Sequence, residues 1–122
     1  MEKVRNYQDL FIWQRSIDLV QRVYLATKGF PPDEQYGLTN QLRRSIVSVP
    51  SNIAEGQARG GSKEFKRFLH IALGSLAEAH TQLILAHRLD YISQDQLKVF
   101  EDEIFQIQKM THALMRRLPT SN

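Results

Sequence analysis

Apolar residues return at every third or fourth position along almost the whole of this chain, and they do so in four separate blocks. That period puts a block's apolar side chains on one face of an α-helix. In the first block Leu10, Trp13, Ile17, Val20 and Tyr24 share a face, and Gly29, Phe30, Pro31 and Pro32 end it. The second opens near Asp33, with acidic residues where the helix dipole favours them. It carries Leu38, Leu42, Ile46, Val49 and Ile53, and Gly56 to Gly61 close it. Ser62 stands as N-cap of the third, which is marked by Phe65, Phe68, Leu69, Ala72, Leu76, Ala79 and Leu83. Ser93 with Gln96 three residues on is a capping box for the fourth. Leu97, Phe100, Ile104, Ile107 and Leu114 follow it, and Pro119 stops the helix. No stretch alternates as a half-buried strand does, and no hairpin dipeptide joins β-branched runs. Four helices with short connections pack best as antiparallel neighbours. The expected fold is all-α, an up-down-up-down four-helix bundle forming a single domain over residues 1–122.

Composition narrows what such a bundle can do. The 122 residues leave room for one core. With no cysteine, thiolate catalysis, disulfides and cysteine metal sites are excluded. The opening MEKVRNYQDL lacks the apolar centre of a signal peptide, and no apolar run approaches the ~20 residues of a membrane span. A cytoplasmic protein with no membrane partner is the expectation. The net charge of +3 permits nucleic-acid binding without requiring it.

Motif chemistry is sparse. Gly56 to Lys63 resembles a phosphate loop with its last pair reversed, but it follows a helix where a true one follows a buried strand. His70, His80, His87 and His112 have no acidic residue three positions before them, so the Glu-x-x-His pairs of bundle metal sites are missing. No metal or other cofactor is expected. Ser48, Ser51, Asn52 and Glu55 cluster around Pro50, yet no histidine accompanies them to make a nucleophile and base. No catalytic residue is therefore assigned. Pro50 removes a backbone donor from inside a helical run and should kink it. The cluster Ser48, Pro50, Asn52 and Glu55 is read as structural, its polar groups repairing the backbone or bonding to a neighbouring helix. Arg43 and Arg44 are expected to pair with Glu78 across the second and third helices.

The topology sorts charge by position. One end collects Arg59, Lys63, Lys66, Arg67, Arg116 and Arg117 together with Lys3 and Arg5, more basic residues than acidic. The other end, rich in Asp and Glu from Asp33 to Glu103, is acidic. The basic end is the candidate contact for nucleic-acid phosphates, either RNA or DNA. The first helix also bears a second apolar stripe, Ile12, Leu19 and Val23, on the side away from its expected core face. An exposed stripe marks an interface, so these three residues are expected to carry self-association.

Two blocks carry a resemblance. Ser48, Pro50, Ser51, Asn52, Ile53, Ala54, Glu55 and Gly56 form the first; Glu64, Phe65, Phe68, Leu69, Ile71, Ala72, Gly74 and Ser75 form the second. In this wording the chain resembles the small four-helix-bundle proteins encoded in intervening sequences of bacterial large-subunit rRNA genes. It departs from them after Glu78, where the usual leucine-glutamate pair is Ala79-His80. The resemblance implies a homopentamer without established chemistry. It also implies similarity in fold to the accessory variability determinant of diversity-generating retroelements, a basic pentamer that binds nucleic acid and a reverse transcriptase. The functional expectation is a non-enzymatic, oligomeric protein that contacts nucleic acid through the basic bundle end. The alternative is an assembly scaffold with a protein partner and no direct nucleic-acid contact.

Overall fold

The computed structural model describes residues 6–120. Four helices account for most of them: α1 (Phe11–Thr27), α2 (Leu38–Ala58), α3 (Ser62–Arg88) and α4 (Gln94–Arg117). Each packs on its neighbours in the chain, α4 closes on α1, and the α2–α3 contact is the most extensive. Ser45 meets Gln82 and Ser48 meets Ser75, so one index rises as the other falls and the pair is antiparallel. Arg15 with Glu103 ties α1 to α4. The result is the expected up-down-up-down bundle.

The stripes expected on α2 and α3 are buried almost throughout, Phe65 being the half-buried exception. On α4, Leu97, Phe100, Ile104 and Ile107 are buried and Leu114 is half-buried. The α4 capping box forms with both bonds, Gln96 N–H to Ser93 Oγ at 3.1 Å and Ser93 N–H to Gln96 Oε1 at 2.8 Å. Three boundaries differ from expectation. The residues after Pro31 make a 3₁₀ turn, Pro32–Glu34, and α2 begins only at Leu38. Gly61, not Ser62, is the N-cap of α3. Helix α2 also runs past Gly56 to Ala58, with a buried Pro50 inside it.

On α1 the two faces are exchanged. Leu19 and Val23 are 0% exposed and Ile12 is 3% exposed, so they belong to the core and cannot line an interface between copies. Of the stripe read as core, Leu10 is buried just before the helix and Trp13 and Val20 are half-buried against the core, while Ile17 and Tyr24 are exposed. The cause is two polar residues within the true core face, Ser16 and Thr27, both buried. Each satisfies its hydroxyl on its own helix, Ser16 Oγ donating to the Ile12 carbonyl at 2.6 Å and Thr27 Oγ1 to that of Tyr24 at 3.1 Å. Once bonded in this way a hydroxyl can be buried without an unmet partner. The face with the higher apolar count is therefore not the buried one.

Two glycines are required by geometry. Gly60, with φ of 88°, turns the chain after α2, its N–H bonding the Gln57 carbonyl. Gly56 is a packing position inside the helix. A Cβ there would stand 2.5 Å from Phe68 Cβ and 3.2 Å from Phe65 Cδ1. At the far end of α3 the same job falls to Asp90 in the left-handed region, φ of 64°. Asp90 N–H bonds the His87 carbonyl and Tyr91 N–H that of Ala86, both at 2.9 Å, the paired bonds of a Schellman cap.

The loop between α1 and α2 is fastened across the loop between α3 and α4. Glu34 accepts from the Leu38 N–H at 3.1 Å and from the Tyr91 hydroxyl at 2.8 Å. The Tyr91 ring lies 5.3 Å from that of Phe30. These two bonds, the backbone one foremost, hold the Glu34 carboxyl below its ordinary value of 4.5. The bond to Glu34 likewise pushes the Tyr91 phenol up from its ordinary 10.0.

Three outcomes are expected. Gly56→Ala gains about 1 kcal/mol of helix propensity but forces α2 from α3, because Phe68 Cβ is one bond from the backbone and cannot swing away. Overpacking of this kind costs about 1–3 kcal/mol, so the urea midpoint falls; a raised midpoint would contradict the close approach. Asp90→Gly relieves a left-handed residue and removes an acid from the negative end of α3. The unfolding midpoint should rise by the equivalent of about 1 kcal/mol, and an unchanged or lowered one contradicts the strain. The third outcome concerns pH. A depressed carboxyl stabilises the fold above the ordinary carboxylate range and ceases to do so as pH falls through its folded value. The stability gap between wild type and Glu34→Gln should therefore narrow as pH is lowered below 4.5. A gap that stays constant down that limb would rule out the linkage.

Candidate functional site

The basic end of the bundle is built from the α2–α3 turn and the last turn of α4. Arg59 caps α2, Lys63, Lys66 and Arg67 occupy the first turns of α3, and Arg116 and Arg117 end α4. Antiparallel packing brings these segments to one end of the bundle. Lys3 and Arg5, assigned to the same end, lie outside the described residues. Arg59, Lys63, Arg67, Arg116 and Arg117 are exposed and Lys66 is half-buried. The basic residues at the end of α4 also sit where its dipole is negative, which favours them there.

Arg59 and Arg67 are held in place. Their guanidinium carbons stand 4.9 and 4.5 Å from the centre of the Phe68 ring. Glu64 lies between them, bidentate to Arg67 at 3.0 and 3.2 Å and 3.7 Å from Arg59. Arg59 also bonds Glu55 at 2.8 Å. The Arg67 hydrogen bond is the main reason that the Glu64 carboxyl titrates below its ordinary range; Arg59 and Lys63 add to it through space. The same bond raises Arg67 further above its usual value. Two acids, Glu55 and Glu64, thus offset part of the positive charge of these two arginines.

The residues around Pro50 divide into two groups. Ser48 Oγ and Ser75 Oγ share a hydrogen bond of 2.8 Å between α2 and α3. Asn52 gives its amide to the Ser48 carbonyl at 2.8 Å and to Ser48 Oγ at 2.9 Å. Ser51 Oγ donates to the Val47 carbonyl at 2.9 Å. The side-chain bonds thus reach the carbonyls of Val47 and Ser48, not that of Ile46, whose partner Pro50 removes. Glu55 stands apart from this group: it is exposed and its bond is to Arg59, so it bridges no helices.

Along the outer side of α2 these residues line an open groove of about 410 Å³. Ser48, Ser51, Asn52 and Glu55 form one part, and Tyr24, Arg43, Arg44 and Val47 the other. Arg43 does not reach toward Glu78. Its Nε donates to Thr27 Oγ1 at 2.8 Å, and the guanidinium carbon lies 4.6 Å from the centre of the Tyr24 ring. Arg44 and Glu78 are both exposed, and no ion pair joins them among the described residues.

The stack of Arg59 and Arg67 on Phe68 and the Ser45–Gln82 bond were not foreseen from the residues. A turn at Gly60 and Gly61 sets Ser45 opposite position 76, six residues short of Gln82, so the register alone does not give that bond. On the other seam of α3, His80 Nε2 lies 2.8 Å from Glu101 Oε2 and its ring meets Phe105 edge-on at 5.4 Å. Among the described residues no three His, Cys, Asp or Glu side chains gather as a metal site requires. No described helix is long and apolar enough to cross a membrane.

Comparison with known proteins places this arrangement. No curated protein matches the chain. A crystal structure of a protein of unknown function from the S23 ribosomal protein family of Bacteroides thetaiotaomicron has the same fold. Its TM-score is 0.76 at 22% identity, over 86% of this chain and 98% of that one. The profile of the family described as 23S rRNA-intervening sequence protein matches residues 8–113. The match takes in all of α1, α2 and α3 and most of α4, and the chain belongs to the 23S rRNA-intervening sequence protein family.

Proposed function

We propose that this protein is a non-enzymatic, oligomeric binder of nucleic acid that engages phosphates through its basic bundle end. The observation that supports this reading is the convergence of Arg59, Lys63, Lys66 and Arg67 with Arg116 and Arg117 from a distant part of the chain. Phosphate contacts of this kind release counterions, and binding then weakens steeply as salt rises. The cationic residues sit on helix ends and a turn, not on an element shaped to enter a groove and read base edges. The expected binding is indifferent to base sequence. In an oligomer whose basic ends point one way, each added copy adds contacts and raises avidity.

A second reading, an assembly scaffold for a protein partner, is favoured by large apolar side chains in solvent. Phe11 is 71% exposed, Leu25 59% and Phe105 50%. Exposed apolar surface of this kind commonly marks a protein interface.

The two readings separate in one experiment. Lys63, Arg116 and Arg117 are all exposed, and replacing them with glutamine leaves the Arg59–Phe68–Arg67 stack intact. In a titration of duplex DNA and structured RNA over several salt concentrations, the triple variant should bind more weakly to every sequence. Its log–log salt slope should be shallower by about 2–3, near 0.9 per lost duplex contact. Asp102 and Glu103 to glutamine, at the acidic end, should not weaken binding. If the wild type binds neither nucleic acid at low salt, the basic-end reading fails and the scaffold replaces it.

A further inference from the structure

The groove along α2 begins where the basic end stops. Glu55, its residue nearest that end, is bonded to Arg59, so the two surfaces are continuous. Arg44, at the other extreme, lies roughly 22 Å from Arg59 along the helix, at 1.5 Å per residue. The chemistry between them is directional. Asn52 turns its amide nitrogen to the Ser48 carbonyl and hydroxyl, and Ser51 gives its only hydroxyl hydrogen to the Val47 carbonyl. What these two side chains offer a ligand is therefore acceptor oxygen. The far end offers the exposed Arg44 guanidinium and the Tyr24 ring, which Arg43 covers from one face and which is 37% exposed.

A ligand that fits must carry an anion for Arg44, a flat surface for Tyr24 and hydrogen-bond donors for Asn52 and Ser51. A nucleotide has all three: a phosphate, a base face, and amine or ribose hydroxyl donors. The groove's 410 Å³ lies within the range of small-ligand sites. An acidic peptide fits less well. Its backbone N–H groups can serve Asn52 and Ser51, but an acidic side chain has no ring face to stack on Tyr24, and Val47 is the one aliphatic side chain available to it. A duplex fits less well still, since its bases are stacked away from Tyr24. We propose that the α2 groove takes an unpaired nucleotide, so that a single strand anchored at the basic end continues along α2 toward Arg44. This rests on the nucleic-acid reading above and narrows it from nucleic acid in general to single strands.

The test uses fluorescence anisotropy with unstructured 12-nucleotide single strands of RNA and DNA and with a duplex of the same length. Wild type, Arg44→Gln and Tyr24→Leu are compared. Base stacking on an aromatic ring and one phosphate contact are each large enough to read. The wild type should prefer single strands at least about fivefold. Each variant should lower single-strand affinity about five- to tenfold and duplex affinity less than twofold. Arg44 is exposed, so Arg44→Gln decides the matter even where Tyr24→Leu melts early. Equal binding of single strand and duplex by the wild type, or variants that weaken both alike, would overturn the groove and leave the basic end standing. No binding to any of the probes would overturn both. Displacement of the single strand by a polyglutamate peptide in the wild type but not in Arg44→Gln would overturn the ligand class.

Discussion

The contact on which the rest of this structure depends is the approach of α2 to α3 at Gly56. There is no room for a side chain between that backbone and Phe68, whose Cβ lies 2.5 Å from where one would begin. The seam beyond it keeps nearly the same register. Ser48 falls opposite Ser75, and further along Ser45 bonds Gln82 from three residues past the strict register. These bonds add less energy than the apolar burial around them, since a paired buried hydrogen bond nets about 1 kcal/mol. Their weight is in exclusion: a helix slid by one turn would leave the buried Gln82 amide oxygen without the Ser45 hydroxyl, at a larger cost.

The same contact prepares the surface. Because Gly56 lets Phe68 lie against α2, the ring sits beside the end of that helix, where Arg59 and Arg67 come within 5 Å of its centre. The basic end is therefore ordered by the core beneath it. Glu64 and Glu55 fix the same two arginines and subtract from their charge. An end built only to attract phosphates would omit those acids. An end that must also present its cations in fixed positions has a use for them, since ordering a long side chain in advance removes that entropy from the binding step.

The architecture was legible in the residues because helical period and capping are local signals. Ser93 and Gln96 announced α4 and formed the box they imply, and the stripes of α2 and α3 are buried nearly as read. The face of α1 was not legible, since the decision there rests on Ser16 and Thr27, polar by type but bonded to their own helix. An apolar count treats such a hydroxyl as a vote for solvent. Gly56 was misread for a related reason. A glycine near a helix end looks like a terminator, and only the partner helix reveals it as a contact. Ser48 and Asn52 could be read as bonded groups from Pro50 alone. The partner Ser75 could not, nor could the groove, because both depend on which side of α2 faces outward.

Pro50 has a part in that last choice. It is buried, and the helix passes through it without interruption. A proline cannot donate to the carbonyl one turn before it, so the ladder is weakened at one place on the helix. The polar side chains next to it answer on neighbouring carbonyls, and in doing so they spend their hydrogens. The outer side of α2 is left with oxygen acceptors beside a free guanidinium instead of a balanced set of donors and acceptors. A surface of that kind is selective by what it lacks. It favours a ligand that brings its own donors together with an anion and disfavours one that brings the anion alone. The binding character proposed for the groove is in this sense a consequence of how a proline is accommodated inside a helix.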